Sequence, residues 1–198
     1  MYSQAECENI RPLIDKIDIY LSFNIHLQPC QKMITLTTTR FNTKTWDEHE
    51  CWIEHNNWNG CIYGTPIQVK PEIGETMIVL EMHNDENTIK AIGLLKKHAV
   101  RSDKAHQIYK DRNYNRYIYK GQYRLVLENI ELAPIEKKII AIFNQLLFKG
   151  ACHLKRAQGI TAMPSWIMQN KQIDFLKYFK ALFIKHYKEE QANEFMLH

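Results

Sequence analysis

Between Tyr109 and Arg124 the chain reads Tyr-Lys-Asp-Arg-Asn-Tyr-Asn-Arg-Tyr-Ile-Tyr-Lys-Gly-Gln-Tyr-Arg, aromatic rings interleaved with cations. A base stacked on such a ring gains about 1–3 kcal/mol whatever its identity, and the cations between rings neutralise phosphates, so the stretch suits a platform for single-stranded nucleic acid. The alternative is that the tyrosines pack a core and only their hydroxyls reach water; at least one of Tyr114, Tyr117 and Tyr119 is expected to face a ligand. A second cationic stretch is Lys149-Gly150-Ala151-Cys152-His153-Leu154-Lys155-Arg156-Ala157-Gln158-Gly159-Ile160. Its glycines let backbone N–H groups approach a phosphate while Lys155 and Arg156 supply charge. The Gly-Lys-Ser/Thr end of a P-loop is missing, and a plain linker with solvated cations is the competing reading.

Metal and catalytic chemistry find less support. His49, Cys51, His55 and Cys61 are zinc-ligand types. Their spacing, H-x-C-x3-H-x5-C, matches no usual finger or knuckle, and on a helix His49 sits about 200° around from Cys51. No metal is expected. No Gly-x-Ser-x-Gly, His-Glu-x-x-His or phosphate-loop Lys motif fixes a catalytic set, so neither catalysis nor a cofactor is expected.

The charge distribution agrees with a polyanionic partner. Residues 1–95 hold 7 Lys and Arg against 13 Asp and Glu, whereas residues 96–124 hold 9 against 2 and residues 137–188 hold 10 against 1. Lysine is common on any helix surface; the near absence of acids within the two blocks is what marks them. The chain is 45% hydrophobic and 24% charged, the balance of a globular protein. It contains no run of about 18 apolar residues, and Met1 to Arg11 lacks the basic-then-apolar pattern of a secretory signal. Five cysteines, an odd number without a framework spacing, suit reduced thiols, so an intracellular location, cytoplasmic or nuclear, is expected, with no membrane association.

The elements that must position these residues follow from periodicity. Ile10, Leu13, Ile14, Ile17, Tyr20 and Leu21 predict a helix over residues 8–24. Met33 to Thr39 is a β-branched strand, and Thr45-Trp46-Asp47-Glu48 is a capping box with Thr45 as N-cap, opening a short helix to about Asn56. That helix would dock on the sheet through Trp46 or Trp52. A turn follows at Asn59-Gly60, Thr76–Met82 and Ile89–Leu95 form a hairpin across the polar Asn84–Asn87, and Tyr123–Ile130 alternates as a strand. Pro134 opens a helix, Ile135–Phe148, stopped by Gly150. A Gly- and Pro-containing link then leads to a final amphipathic helix of roughly Ser165 to Gln191.

Five segments taken in order resemble the EVE and YTH domains, both PUA-like barrels. They are Ile34–Thr39, Thr45-Trp46-Asp47-Glu48, Trp58-Asn59-Gly60-Cys61-Ile62-Tyr63, Gly74-Glu75-Thr76-Met77-Ile78-Val79-Leu80 and Ala91-Ile92-Gly93-Leu94. Further on, Tyr119-Lys120-Gly121-Gln122-Tyr123-Arg124 looks like the Trp-Lys-Gly-Lys-Phe run that opens a late YTH strand. The resemblance spans about residues 33–133 and rests on the shared order. It implies an α+β fold: a small PUA-like mixed β-barrel with short helices, followed by a C-terminal helical segment. The expected divisions are 1–32, an N-terminal helical segment; 33–133, the barrel; and 134–198, a basic helical extension.

In those families an aromatic cage holds a modified base. Carried over, the cage falls on Trp58, Tyr114 and Tyr119, the last two being Trp in the YTH pattern; the Arg-Asn that follows the EVE motif is absent. Trp52, Asn59 and Tyr63 complete the expected pocket. Arg40, Arg112, Arg116, Lys120, Arg124, Lys155 and Arg156 are the expected contacts to phosphate. The function so implied is a reader, not an enzyme, that accepts an unpaired base, modified or not, from single-stranded RNA or DNA. The alternative is a charge-driven nucleic-acid or virion packaging protein, and an uncharacterised nuclease or metal enzyme ranks last.

Overall fold

The computed structural model describes residues 34–100, 106–169 and 173–186. The architecture is α+β, in two compact units: Lys32–Met163 form the larger, and the described residues from Pro164 onward belong to the smaller. The helix expected over residues 8–24 lies outside the described residues.

In the larger unit β1 (Ile34–Phe41) leads into α1 (Thr43–His55), then β2 (Cys61–Thr65), β3 (Thr76–His83), β4 (Thr88–Lys96) and β5 (Ala99–Val100). A 3-10 turn (Arg112–Asn115) precedes β6 (Tyr117–Gly121) and β7 (Tyr123–Val126), and α2 (Pro134–Phe148) and β8 (Thr161–Ala162) complete the unit. One sheet has the order β7-β4-β3-β1-β8 and the other β2-β6-β5. Every residue of β3 is buried, and its neighbour β1 runs parallel to it, from Ile34 beside Thr76 to Phe41 beside His83. A central strand covered on both faces needs a continuous apolar run, which Met77 to Leu80 supplies.

The strands do not close into the single barrel expected; they form two packed sheets. The chain changes sheet at Gln122: β6 before it pairs with β2, and β7 after it pairs with β4. Two glycines allow the sheets to touch there. A Cβ on Gly121 would lie 2.3 Å from the Leu94 carbonyl oxygen, and one on Gly93 would lie 2.0 Å from the Tyr63 hydroxyl. Between the sheets Phe41, Ile62, Tyr63, Met77, Ile118 and Tyr119 are almost wholly buried, each stabilising the core by roughly 1.5–3 kcal/mol.

Three elements begin or end elsewhere than expected. The N-cap of α1 is Asn42, not Thr45: Thr45 N–H donates to Asn42 Oδ1 at 2.8 Å, and Asn42 N–H donates to Thr45 Oγ1 at 3.0 Å. Asparagine caps as well as threonine, and Glu48 is used instead to accept from the Lys110 N–H at 3.1 Å. The strand from Tyr123 stops at Val126, where a 3-10 turn, Leu127–Asn129, begins. In the smaller unit the long final helix is two, α3 (Ser165–Met168) and α4 (Phe175–His186). Asp174 starts the second, its carboxylate accepting from Lys177 N–H at 2.9 Å.

The helix α2 belongs to the larger unit. Pro134 occupies its first turn, and Glu136 accepts from the Ala133 N–H at 2.7 Å. Asn144 fixes it to β4, accepting from Ile89 N–H at 3.0 Å and donating to Thr88 Oγ1 at 3.2 Å. Gly150, at φ +77°, turns the chain out of the helix toward the second cationic stretch. Among the described residues no helix is long and apolar enough to cross a membrane.

Candidate functional site

A charged network sits inside the larger unit and removes two of the expected site residues from solvent. Glu81 lies on β3, fully buried, so its carboxylate must be paired. Arg124 supplies the pair, with Nε 2.9 Å from Glu81 Oε1 and Nη2 2.8 Å from Oε2. The same guanidinium reaches Glu50, with Nη2 2.5 Å from Oε1 and Nη1 3.2 Å from Oε2. Tyr63, buried completely, donates its hydroxyl to Glu81 at 2.8 Å. His49 closes the network, one ring nitrogen 3.1 Å from Glu50 and the other 2.8 Å from the Ile62 carbonyl. Burial alone would raise the Glu50 carboxyl, but hydrogen bonds from His49 and Arg124 bring it down to about 2. Burial disfavours the Arg124 cation, yet Glu81 and Glu50 outweigh that and hold it charged. Arg124 and Tyr63 are thus structural, contrary to the phosphate and pocket roles expected of them.

His49, Glu50 and Glu81 bring ligand-type atoms within 4.8 Å of one another. Arg124 already serves as the cation between the two carboxylates. The four zinc-type donors of the sequence do not converge on one point: Cys51 and His55 are exposed, whereas Cys61 is buried among the sheets, its thiol pushed up to about 12 by desolvation and directed at the Leu94 carbonyl 3.7 Å away.

An open feature among the described residues of this unit is a cleft of about 180 Å³ at the carboxyl end of β1 and the start of α1. Arg40, Tyr114 and Lys155, spread over more than a hundred positions of sequence, line it together, with Tyr109, Asn42, Thr45, Asn84 and Gln158 as further polar or aromatic lining. Among the described residues no Asp, Glu, His or Cys lines it. Tyr114 is 37% exposed and meets the buried Tyr109 edge-on, ring centroids 5.9 Å apart. Lys155 donates to Asn87 Oδ1 at 2.8 Å, and its carbonyl accepts from Asn84 at 3.0 Å. Arg112 and Arg116 flank Tyr114 on the 3-10 turn, and Arg156 follows Lys155; all three are exposed, with no ion pair among the described residues. Residues of both basic stretches therefore line one cleft: Tyr109 and Tyr114 from the first, Lys155 and Gln158 from the second.

Arg40 has a different role from the one expected. Its guanidinium donates to the carbonyls of Leu154 and Gly159, the latter at 3.3 Å, and to the hydroxyls of Thr38 and Thr161 at 3.0 and 2.8 Å. Burial lowers its pKa to about 10. It builds the cleft by pinning the Leu154–Thr161 segment to β1, and these contacts use four of its five N–H donors. Arg40→Lys keeps the charge but loses the planar fork. We expect it to cost about 1–3 kcal/mol through the unmet carbonyls and to speed amide hydrogen exchange in residues 154–161. Unchanged exchange there would assign the segment's order to its β8 pairing alone.

Trp58, Tyr114 and Tyr119 do not form one cage. Tyr119 is 1% exposed and its hydroxyl accepts from Val69 N–H at 2.9 Å. The next residue, Lys120, points to the other face of β6, as strand alternation requires, and lays its ammonium 3.7 Å from the centre of the Trp58 ring. Trp52 is also near that ammonium, at 5.9 Å. Trp58 is half-buried, its indole N–H donating to the Cys61 carbonyl at 3.3 Å, and Asn59 beside it is exposed. Trp46 packs inward, against Phe41 at 5.3 Å and His83 at 5.8 Å.

Asn42, Thr45, Asn84, Tyr109 and Gln158 are lining residues that the sequence reading did not assign to the site. A signal existed for Tyr109 and Gln158, which lie inside the two basic stretches, but none for Asn84. No family model matches the chain, and no curated protein or solved structure matches it.

Proposed function

We propose that the larger unit is a PUA-like reader of single-stranded nucleic acid, a binding module and not a catalyst, that takes an unpaired base into the Arg40–Tyr114–Lys155 cleft. The observation that carries this reading is the convergence on one cleft of an exposed tyrosine, a lysine and a lining without acids, with exposed arginines close in sequence to lining residues on both sides: Arg112 and Arg116 beside Tyr114, and Arg156 beside Lys155. Tyr114 supplies a face for stacking, while the side-chain amide N–H of Asn42 and the amide of Gln158 offer donors and an acceptor to a base edge, the combination by which single strands are read. Lys155 and the exposed Arg112, Arg116 and Arg156 are the cations for the backbone. The lining holds no carboxylate, imidazole or thiol to act as a general base or nucleophile, which favours binding over chemistry. An intracellular setting suits the exposed thiols of Cys51 and Cys152.

The exposed arginines also suit a second reading, in which charge alone packages nucleic acid. Affinity for short RNA and DNA strands of each base, unmodified and methylated, measured across a salt series, separates the two. A reader discriminates among bases; a charge-only binder ignores them and falls steeply with salt. Replacing Arg112, Arg116 and Arg156 together by Ala is expected to flatten the log K against log salt slope by about 2, at roughly 0.7 per single-strand phosphate. An unchanged slope would remove these three arginines from the binding surface.

A further inference from the structure

Thr45 lines the cleft, and Trp52 stands seven residues further along α1, two turns on and within about 20° of the same side of the helix. The rise over that stretch is about 10 Å. A second element keeps the same spacing: β6 leaves the Tyr114 turn at Tyr117 and reaches Lys120 three residues later, again about 10 Å. Between the two markers, Glu48 of α1 accepts from the Lys110 N–H next to the cleft residue Tyr109, which ties the helix flank to the cleft wall. The Trp52–Lys120–Trp58 cluster therefore stands about 10 Å from the cleft along both elements.

Resting on the reading of the cleft as a base site, we infer that this cluster is a second stacking platform for a neighbouring nucleotide of the same strand, with Lys120 as its movable cover. In the free protein the ammonium lies on the Trp58 ring, an exposed cation–π contact worth about two- to fivefold in equilibrium. A base stacked on an aromatic ring is worth roughly five- to over a hundredfold, and a displaced lysine gains a phosphate in exchange for the ring it leaves. The exchange therefore favours the bound strand. The Lys120 side chain has the flexible stem and rotatable donors such a move requires. A span of about 10 Å corresponds to two or three nucleotides at the 3.4 Å rise of stacked bases, fewer in an extended strand.

The test is the length dependence of affinity in the full chain. Wild-type protein is titrated with a mononucleotide and with single strands of increasing length, and affinity is expected to climb until about four nucleotides and then level off. Trp52→Ala with Trp58→Ala is expected to lose five- to a hundredfold of that increment while leaving mononucleotide affinity unchanged. Tyr114→Ala is expected to weaken the mononucleotide itself. A length increment that survives in the folded double variant would overturn the platform and leave the cleft standing, whereas a mononucleotide indifferent to Tyr114→Ala would overturn the cleft. A measurement free of the variants' folding uses a Trp166→Phe background, which removes the exposed indole of the smaller unit. Strands of four or more nucleotides, but not mononucleotides, should then shield tryptophan from acrylamide quenching; equal quenching with and without the longer strands would overturn the platform.

Discussion

Arg124→Met is expected to destabilise the larger unit by about 3–5 kcal/mol, because it leaves the Glu81 carboxylate buried without its cation. The melting temperature should fall by on the order of 10–25 °C. Glu81 is 0% exposed and Arg124 is its bidentate partner, so no rearrangement at the surface can replace the lost charge. Adding Glu81→Gln, which removes the stranded anion, should recover part of the loss, since breaking a buried pair costs more than removing both charges. The same network sets the acid limit of the fold. Glu50 titrates in the folded protein at about 2, below the ordinary 4.5. Its contribution is therefore complete above about pH 4.5 and disappears as the pH falls toward 2. Thermal melts from pH 7 to pH 2 should show this decline in the wild type and a shallower one in Arg124→Met. A variant melting within a degree or two of wild type would mean that the guanidinium is dispensable.

Tyr114→Ala is expected to separate binding from stability. The ring is 37% exposed and its contact with Tyr109 is a single edge-on pair, worth about 0.5–1.5 kcal/mol beyond burial. Melting should therefore move little. If a base stacks on that ring, affinity for single strands should fall between fivefold and somewhat over a hundredfold, the equivalent of about 1–3 kcal/mol. The companion change Tyr119→Ala should behave in the opposite way: a fully enclosed ring removed from the core costs about 3–5 kcal/mol of stability. Melting and titration of both proteins under one salt condition check the pair. Wild-type affinity in a folded Tyr114→Ala would remove the tyrosine from the site.

How much could be read in advance depended on what each residue's neighbours in sequence reveal. β1, β3 and β4 were legible because their apolar or β-branched runs are bounded by polar turns, and α2 because Pro134 and Gly150 punctuate it. β2 and most of β6 are buried without alternation, so Cys61–Thr65 and Tyr117–Gly121 offered no period-two pattern. The tyrosines of residues 109–124 could not be sorted from sequence. Tyr114 and Tyr119 differ in exposure because one sits on a 3-10 turn and the other on a strand between sheets. Arg40 and Arg124 have the composition of phosphate contacts, yet each is used internally, Arg124 by Glu81, 43 positions away, and Arg40 by partners as far as Thr161, 121 positions away. Conversely, the approach of Lys155 to Tyr114 required the β1–β8 pairing, which a two-residue strand does not announce.

That pairing also orders events as the chain is made. Thr37 and Thr38 of β1 meet Ala162 and Thr161, more than 120 positions later. At synthesis rates of about 5–20 residues per second, the stretch between the end of β7 and β8 takes about 2–7 s to emerge. During that interval β7, β4, β3 and β1 can already be a sheet, with the outer edge of β1 unpaired and the cleft lacking one wall. An open edge is a template for pairing with another chain, and a charged side chain is a common guard against it. In the sequence Ile-Thr-Leu-Thr-Thr-Thr-Arg-Phe of β1 that guard is Arg40. The arginine that later pins the cleft wall in place is thus, for those seconds, the one charge protecting a nascent edge.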